Sequence, residues 1–538
     1  MAGQVSPGIV LRERDLTAQT IVNAQSNTAA LVGSFAKGPV GTMTSIATER
    51  ELLDTFGGPN TNNYEDWFTA ATFLSYGGQL YVVRVEDTSL KNAVETGETA
   101  ELIKDKADFL AGVGGYTWKF AARTAGTWAN GLKVAVIDGG VASYATATVS
   151  STTTLWSALG GDPGGANDLH IAVLDSSGNI LETFLYVSRL TTAKDSQGAS
   201  LYYRDVVNNK SQYIYAGDDN PDGGESDITL AGGVDSYSTT VSDITAAFDL
   251  FADTEEVNID FVLAGGSLAT EADQVTKVQK AISIATTRKD CIAFVSPHNG
   301  HVGLSTSAAQ RDDIISFFDT VGTSNSYSVF DSGYKYIYDR YNDTYRYIPC
   351  CGDVAGLCVE TSNTLEDWYS PAGLNRGNLK NVVKLAYVPT KTDRDKLYQK
   401  RINPITSFAG QGVVLFGDKT ALATPSAFDR INVRRLFLAV EKRVSVLAKG
   451  VLFELNDDAT RSSFSNAVNS YLAEVQAKRG VTDYLVVCDT TNNTADVIDR
   501  NEFVAEIYLK PARSINYITV TFVATRTGVS FAEVTGRV

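Results

Sequence analysis

The stretch from Val257 to Asp331 decides the fold, because apolar strands and amphipathic helices alternate along it. Three apolar runs are typical of strands: VNIDFVLAG (Val257–Gly265), DCIAFVSP (Asp290–Pro297) and YSVFD (Tyr327–Asp331). Two amphipathic segments separate them: QVTKVQKAISIAT (274–286) and AAQRDDIISFFDT (308–320). Alternation of this kind favours a parallel sheet with helices packed on it. The sequence therefore predicts an α/β domain, which we extend over residues 239–405.

The pattern of apolar and polar residues is different on either side of this domain. Residues 96–238 contain short alternating segments such as KVAVID and HIAVLD between turn clusters, which predicts an inserted β-sandwich or barrel. Residues 26–95 predict a strand, a short helix capped by Thr48, a second helix and a strand. Residues 406–525 predict two long helices followed by strands, and we interpret them as an α+β core domain completed by the N-terminal segment.

Composition limits the classes of function. The chain has 538 residues, which predicts two to four domains, and its net charge of −16 argues against a surface that follows nucleic-acid phosphates. Five cysteines form no disulfide framework. We find neither a signal peptide nor an apolar run long enough for a membrane helix, and we expect a soluble protein made in the cytoplasm.

One segment approaches the phosphate-binding loop pattern. In GVVLFGDKT (Gly412–Thr420), Asp418 stands between the glycine and Lys419, so the lysine and the hydroxyl are out of register. A plain strand and loop is the better interpretation.

A second segment begins like a calcium loop. DDNPDGGESDIT places Asp218, Asn220, Asp222 and Gly223 at diagnostic positions, but Thr229 stands where a bidentate acid is required. We interpret it as a solvated acidic turn, with no cofactor or metal expected.

A third candidate is hydrolytic. VGTSN (Val321–Asn325) carries Ser324 in a subtilisin-like context, and His298 and His301 lie nearby in sequence. Ser324 does not open a helix, however, and the histidine surroundings differ from those of a triad, so we predict no catalytic residues.

Both ends of the chain predict strands that have no obvious partner. At the N-terminus, Ile9 and Leu11 face one side while Val10 and Arg12 face the other; at the C-terminus, Tyr517, Thr519, Val520 and Phe522 continue a strand. Extended terminal segments commonly add to the edge of another sheet. The alternative is that residues 1–25 and 526–538 fold back on their own chain.

The helix FDRINVRRLFLAVEKRVSVLAK predicts two faces. Val433, Phe437, Val440, Val444 and Leu447 form an apolar stripe, and Arg435, Lys442 and Lys449 lie on the opposite side. These three define a basic ridge, which we predict to face outward; the alternative is a solvated helix face without a partner.

Several strings together resemble a known family. SPGIVLRERD and NTAALVGSFAKGPVGTMTSIATERELLDTFG near the start, GTWANGLKVAV at 126–136, and INVRRLFLAVEKRV, LFELNDDATRSSF and DRNEFVAEIYLKPARSINYITVTF near the end are similar, in order and spacing, to contractile tail sheath proteins of bacteriophages and related contractile injection systems. The match from about 140 to 235 is in texture only.

The resemblance implies a structural subunit and no enzyme. Such subunits polymerise as stacked rings, hexameric in the family, around an inner tail tube; neighbours exchange strands, and the sheath contracts to drive the tube through a cell envelope. It implies a subtilisin-like α/β domain without a catalytic site, and tube contact at the basic ridge. Baseplate and tail terminator proteins are the further partners, with no direct contact to nucleic acid or membrane.

The implied location is the virion, after assembly in the host cytoplasm. Two other classes stay open at this point: a degenerate subtilisin-like hydrolase, and a surface-array or fibre protein.

Overall fold

The computed structural model describes residues 27–139, 148–150, 153–154, 158–221 and 228–515. The residues predicted to exchange strands all lie outside these ranges: Ile9, Val10, Leu11, Arg12, Tyr517, Thr519, Val520 and Phe522. No helix in the described ranges combines the length and the apolar character that crossing a bilayer requires.

The N-terminal segment has the predicted strand, two helices and strand in the predicted order, and one further short strand that the sequence did not predict. The elements are β1 (Thr28–Gly33), the further strand β2 (Thr44–Ile46), α1 (Glu49–Phe56), α2 (Tyr64–Ser75) and β3 (Gln79–Arg84). The N-cap predicted for α1 is confirmed, because the Thr48 hydroxyl accepts a hydrogen bond from the Glu51 amide. Helix α1 ends at Phe56 and is followed by the capping residue Gly57, whose φ of +76° lies in the region that favours glycine.

The insert is rich in β-strands. Its elements are β4 (Val94–Glu95), α3 (Lys106–Gly112), β5 (Phe120–Ala122), β6 (Lys133–Asp138), β7 (Thr148–Ser150), β8 (Thr153–Thr154), β9 (Asp168–Leu174), β10 (Ile180–Ser188), α4 (Tyr203–Lys210), β11 (Ile214–Ala216) and β12 (Ile228–Ala231). An antiparallel sheet has the order β10-β9-β6-β12-β4-β5-β11. Helix α4 packs against both outer strands and shares one core with the sheet, so the sheet curls around that core.

The central region alternates helices and strands as predicted. Its elements are α5 (Val241–Asp249), β13 (Phe261–Leu263), α6 (Glu271–Arg288), β14 (Ile292–Val295), α7 (Ser307–Val321), β15 (Ser328–Asp331), β16 (Tyr334–Asp339), β17 (Thr344–Pro349), α8 (Cys351–Thr364), β18 (Lys384–Leu385), α9 (Lys391–Gln399), β19 (Ile402–Asn403), β20 (Ile405–Phe408) and β21 (Gly412–Leu415). The β20–β21 hairpin packs through Ile405 and Leu415 on the core beneath α2 and α8. We therefore group it with this domain rather than with residues 406–525.

The main sheet has the order β19-β15-β14-β13-β1-β3-β2, and its strands are parallel except for β2 at the edge. The prediction that the N-terminal segment completes the C-terminal domain is wrong, because β1 lies between β13 and β3 in this central sheet. Ala29 and Leu31 face one core while Ala30 and Val32 face the other, and all four are fully buried. A continuous apolar strand of this kind belongs inside a sheet that is covered on both faces.

The C-terminal domain consists of a helical hairpin and a small sheet. Its elements are α10 (Ile431–Lys449), α11 (Asp458–Ala477), β22 (Val481–Val487), α12 (Ala495–Asp499) and β23 (Glu506–Pro511). Strands β22 and β23 pair antiparallel, and a core formed by Leu436, Val440, Val468 and Leu472 joins the two long helices.

Candidate assembly interface

Helix α10 lies across the amino ends of the central parallel strands. Near its start, Arg434 donates a hydrogen bond to the Ser326 hydroxyl just before β15; eight residues later, Lys442 contacts Asp260 just before β13. Eight helical residues rise about 12 Å, and strands two apart in a sheet are separated by about 10 Å. The helix therefore bridges β15 to β13 and joins the C-terminal domain to the central domain.

The predicted basic ridge is not an outward face. Arg435 is only 3% exposed, and its guanidinium donates to the Cys358 carbonyl (3.2 Å), the Ser362 hydroxyl (2.6 Å) and the Asp367 carboxylate (2.8 Å). Lys442 also donates to the Ile259 carbonyl at 2.9 Å, whereas Lys449 is exposed. The prediction is wrong for Arg435 and Lys442, because α10 is buried on two sides: the predicted stripe faces one core, while the central domain covers the other face.

A signal for this second buried face was present in the sequence. Ile431 and Leu438 are apolar but lie off the predicted stripe, and the structure buries both against the central core. A helix with apolar residues on more than one side packs against more than one neighbour.

The β22–β23 sheet is the candidate acceptor for an added strand. Within residues 228–515 it contains these two strands only, so each has an edge without a strand partner. Leu485 and Tyr508 stand opposite each other on one face and are more than half exposed. Unpaired edges that carry apolar side chains are surfaces on which another chain can pair.

A cleft of about 1040 Å³ lies beside this sheet, between the central and C-terminal domains. Trp368, Phe416 and Val481 supply apolar walls, and Ser514 and Ile515 line it as well. Ser514 and Ile515, the last of the described residues, therefore lie at the cleft.

The structure separates the hydrolytic candidates. His301 follows β14 at the carboxyl edge of the parallel sheet, whereas Ser324 precedes β15 at the amino edge. Four-residue strands separate these edges by about 13 Å. The Ser324 hydroxyl accepts the Ala423 amide at 3.0 Å, and buried His301 contacts the His298 carbonyl through Nδ1, so the two side chains do not form a catalytic pair.

The carboxyl edge of the sheet, where α/β proteins usually bind ligands, is filled by the chain itself. Asp66 accepts the Gly266 amide at 2.7 Å, and Glu65 accepts the Ser267 amide at 2.6 Å. Burial raises the pKa of the Glu65 carboxyl, and Lys277 lies 3.6 Å from Asp66. Backbone amides at this edge are the kind of donor that binds anions, and the start of α2 occupies them. The sequence does not reveal this role of Glu65 and Asp66, because nothing local marks either carboxylate.

The phosphate-loop and calcium-like segments have structural roles. Lys419 donates to the Tyr398 carbonyl at 2.8 Å, and the Asp418 carboxylate is buried and accepts the Ser514 hydroxyl. Asp218 accepts the Gly114 and Tyr116 amides at 2.6 and 3.1 Å, whereas Asp222 and Gly223 lie outside the described residues.

A rigid α/β body, a helical hairpin fixed across its sheet and an open two-stranded sheet beside a cleft define a protein built to assemble with other chains. Residues 238–421 match the family model of the phage tail sheath protein central domain, and residues 423–525 match that of the phage tail sheath C-terminal domain. The chain is 32% identical to the tail sheath protein of Enterobacteria phage T4 over 99% of both chains. It is 33% identical to the tail sheath protein of Vibrio phage KVP40, over 99% of this chain and 100% of that one.

Solved structures agree in fold. The contracted helical sheath of the anti-feeding prophage superimposes with a TM-score of 0.55 at 14% identity, over 97% of this chain and 100% of that chain. A sheath tail protein from Listeria innocua superimposes with a TM-score of 0.57 at 11% identity, over 90% of this chain and 95% of that chain. The chain belongs to the phage tail sheath protein family, whose members are components of the virion.

Proposed function

We propose that this sheath protein polymerises helically, as stacked hexameric rings around an inner tail tube, and contracts to drive the tube through a cell envelope. The observation that carries the proposal is the 32% identity to a tail sheath protein over 99% of both chains. Assembly in the host cytoplasm, with baseplate and tail terminator proteins at the two ends, follows from the same resemblance.

Strand exchange is the proposed link between subunits. The donors are the N-terminal strand with Ile9, Val10, Leu11 and Arg12, and the C-terminal strand with Tyr517, Thr519, Val520 and Phe522. The open edges of β22 and β23 are the proposed acceptors, which is supported by their lack of a strand partner within residues 228–515. Each main-chain bond gained would contribute about 0.5–1.5 kcal/mol net, so several together hold neighbours while tolerating a change of packing.

Tube contact through α10 is proposed only for its C-terminal end. Lys449 is the one exposed member of the predicted ridge, whereas Arg435 and Lys442 are engaged with the central domain. An exposed terminus offers single weak contacts, and such contacts suit a sheath that must release its tube.

The protein is proposed to have no enzymatic activity. Helices cover both faces of the parallel sheet, which is consistent with a subtilisin-like central domain. The sheet of the insert curls around one core, which is consistent with a barrel-like insert. The placement of Ser324 and His301 at opposite sheet edges argues against the degenerate hydrolase. A surface array or fibre has no observation in its favour.

Deletion of residues 1–18 tests the proposal. We expect the purified full chain to form long hollow cylinders in negative-stain electron microscopy, and the truncated chain to remain a folded monomer with unchanged circular dichroism. Cylinders formed by the truncated chain would contradict N-terminal strand exchange. Absence of cylinders from the full chain, with and without a tube protein, would contradict the proposed function itself.

A further inference from the structure

The loop that joins α10 to α11 is an exposed apolar tip. We define the tip loop as residues 451–456; it carries Leu452, Phe453 and Leu455, which are 62%, 104% and 77% exposed. Glu454 stands between the last two, is exposed, and has no ion-pair or hydrogen-bond partner for its side chain among the described residues. Three large apolar side chains in four consecutive positions form a concentrated patch, unlike the isolated exposed residues found on most surfaces.

The backbone of the tip loop is strained at its most exposed residue. Phe453 has a φ of +69°, in the left-handed region that bulky side chains avoid. The side chain buries nothing within its own subunit to offset this conformation. Strain held at an exposed aromatic residue is typical of a contact that is completed by a partner.

The cleft beside β22 is complementary to the tip loop in charge and in apolar character. Lys391, Arg479 and Arg513 are exposed at its rim, and none of the three has an acidic partner among the described residues. The acids that line it are Asp418, which is buried and hydrogen bonded, and Asp395. A cationic rim over apolar walls, on a chain of net charge −16, fits an acidic segment that carries aromatic and aliphatic side chains.

The tip loop and the cleft lie at opposite ends of one rigid hairpin. Asn432 at the start of α10 and Gln476 at the end of α11 both line the cleft, so the two helices run antiparallel away from it. Helix α10 has 19 residues and is therefore about 28 Å long. The tip loop cannot reach the cleft of its own subunit.

We propose that the tip loop of one subunit inserts Phe453 and Leu455 into the cleft of a second copy, with Glu454 facing the Arg479 side of the rim. A contact between two different surfaces joins successive subunits head to tail, and the rotation between neighbours decides whether the result is a closed ring or an open helix. The inference rests on the proposed function in that it requires copies to assemble, and it adds a second link that is independent of strand exchange.

Replacing Phe453 by asparagine separates assembly from stability. Asparagine tolerates left-handed backbone, so we expect a melting temperature no lower than that of the parent. We expect the critical concentration for polymerisation, measured by sedimentation, to rise about tenfold or more because the buried aromatic anchor is lost. Leu190→Asn, which alters an exposed apolar residue of the insert, is the matched control and should change neither quantity. An unchanged critical concentration for Phe453→Asn would overturn the proposal.

A charge exchange tests the pairing itself. We expect Glu454→Arg and Arg479→Glu each to raise the critical concentration, and the double variant to restore it to within about threefold of the parent. Two weakened single variants without rescue would mean that the tip loop binds another surface, and would overturn the proposed pairing.

Cross-linking tests the direction of the contact. The native cysteines are all buried, so engineered thiols react selectively. Under mild oxidation, a chain carrying both Phe453→Cys and Gln476→Cys should give a ladder of covalent oligomers, whereas each single variant lacks the facing thiol and should stay monomeric. If the residues after Ile515 fill the cleft of their own subunit instead, a Gln476→Cys, Thr519→Cys chain would cross-link within the monomer and the ladder would be absent. Cylinders that form without the ladder would refute this inference and leave the proposed function standing.

Discussion

Replacing Arg435 by alanine is expected to destabilise the junction between the central and C-terminal domains. The guanidinium is 3% exposed, and its three acceptors lie on or just after α8. Removing one partner of a buried, hydrogen-bonded ion pair typically costs about 3–5 kcal/mol. Because the Asp367 side chain is 20% exposed, water can partly replace the lost contact, and we place the loss at the lower end, about 3 kcal/mol.

The measurement is urea denaturation of the monomer, followed by circular dichroism and by hydrogen exchange of the α10 amides. Lys449→Ala, at the exposed end of the same helix, is the matched control and should change stability by less than about 0.5 kcal/mol. Asp367→Asn combined with Arg435→Ala should lose less than the two single changes added together, because the pair is coupled. A loss below about 1 kcal/mol for Arg435→Ala, together with impaired tube binding by a fully folded chain, would refute the burial argument and restore the outward ridge.

Two further predictions concern the central domain. Burial raises the pKa of Asp331 to about 8 in the folded protein. Between the ordinary pKa of a carboxyl group and pH 8, the folded chain therefore binds a proton that the unfolded chain does not. The contribution of Asp331 to the free energy of unfolding is thus fully present at acid pH and is lost as the pH rises toward 8. In Asp331→Asn, the side-chain amide can still hydrogen bond with Ser296 and with the Gly333 backbone amide. We expect this variant to lose about 2 kcal/mol of the change in unfolding free energy that the parent shows between pH 6 and pH 8. Equal slopes of the urea midpoint against pH in parent and variant would contradict this. Ser324→Ala is expected to leave assembly unchanged and to lower stability by no more than about 1 kcal/mol, since its hydroxyl accepts one exposed backbone bond; a peptidase or esterase activity that disappears in this variant would contradict the non-enzymatic interpretation.

Local pattern in the sequence determined the type and order of most elements. The alternation from Val257 to Asp331 predicted the parallel sheet, and Thr48 correctly marked the start of α1. The tyrosine-rich segment YKYIYDRYNDTYRYIP (Tyr334–Pro349) has the alternation of a hairpin, and it forms the β16–β17 hairpin, in which Tyr336 and Tyr347 stand opposite each other. These features depend on hydrophobic period and on capping chemistry within a few residues, which a sequence displays directly.

The partners of each element were decided only by the tertiary structure. TAALVG predicted a buried strand, but whether it joined the central or the C-terminal sheet depended on contacts with Phe261 and Leu80, far away in sequence. The spacing of Arg435 and Lys442 correctly placed both residues on one helix face. This face packs on the central domain instead of facing solvent because α8 and the strand ends near Asp260 lie against it. Glu65, Asp66 and the cleft gave no local signal either. The position of a residue in a helix fixes the direction in which its side chain points from the helix axis. The burial and the charge partners of that side chain are set by the distant segment that packs against it, and this packing depends on the whole chain.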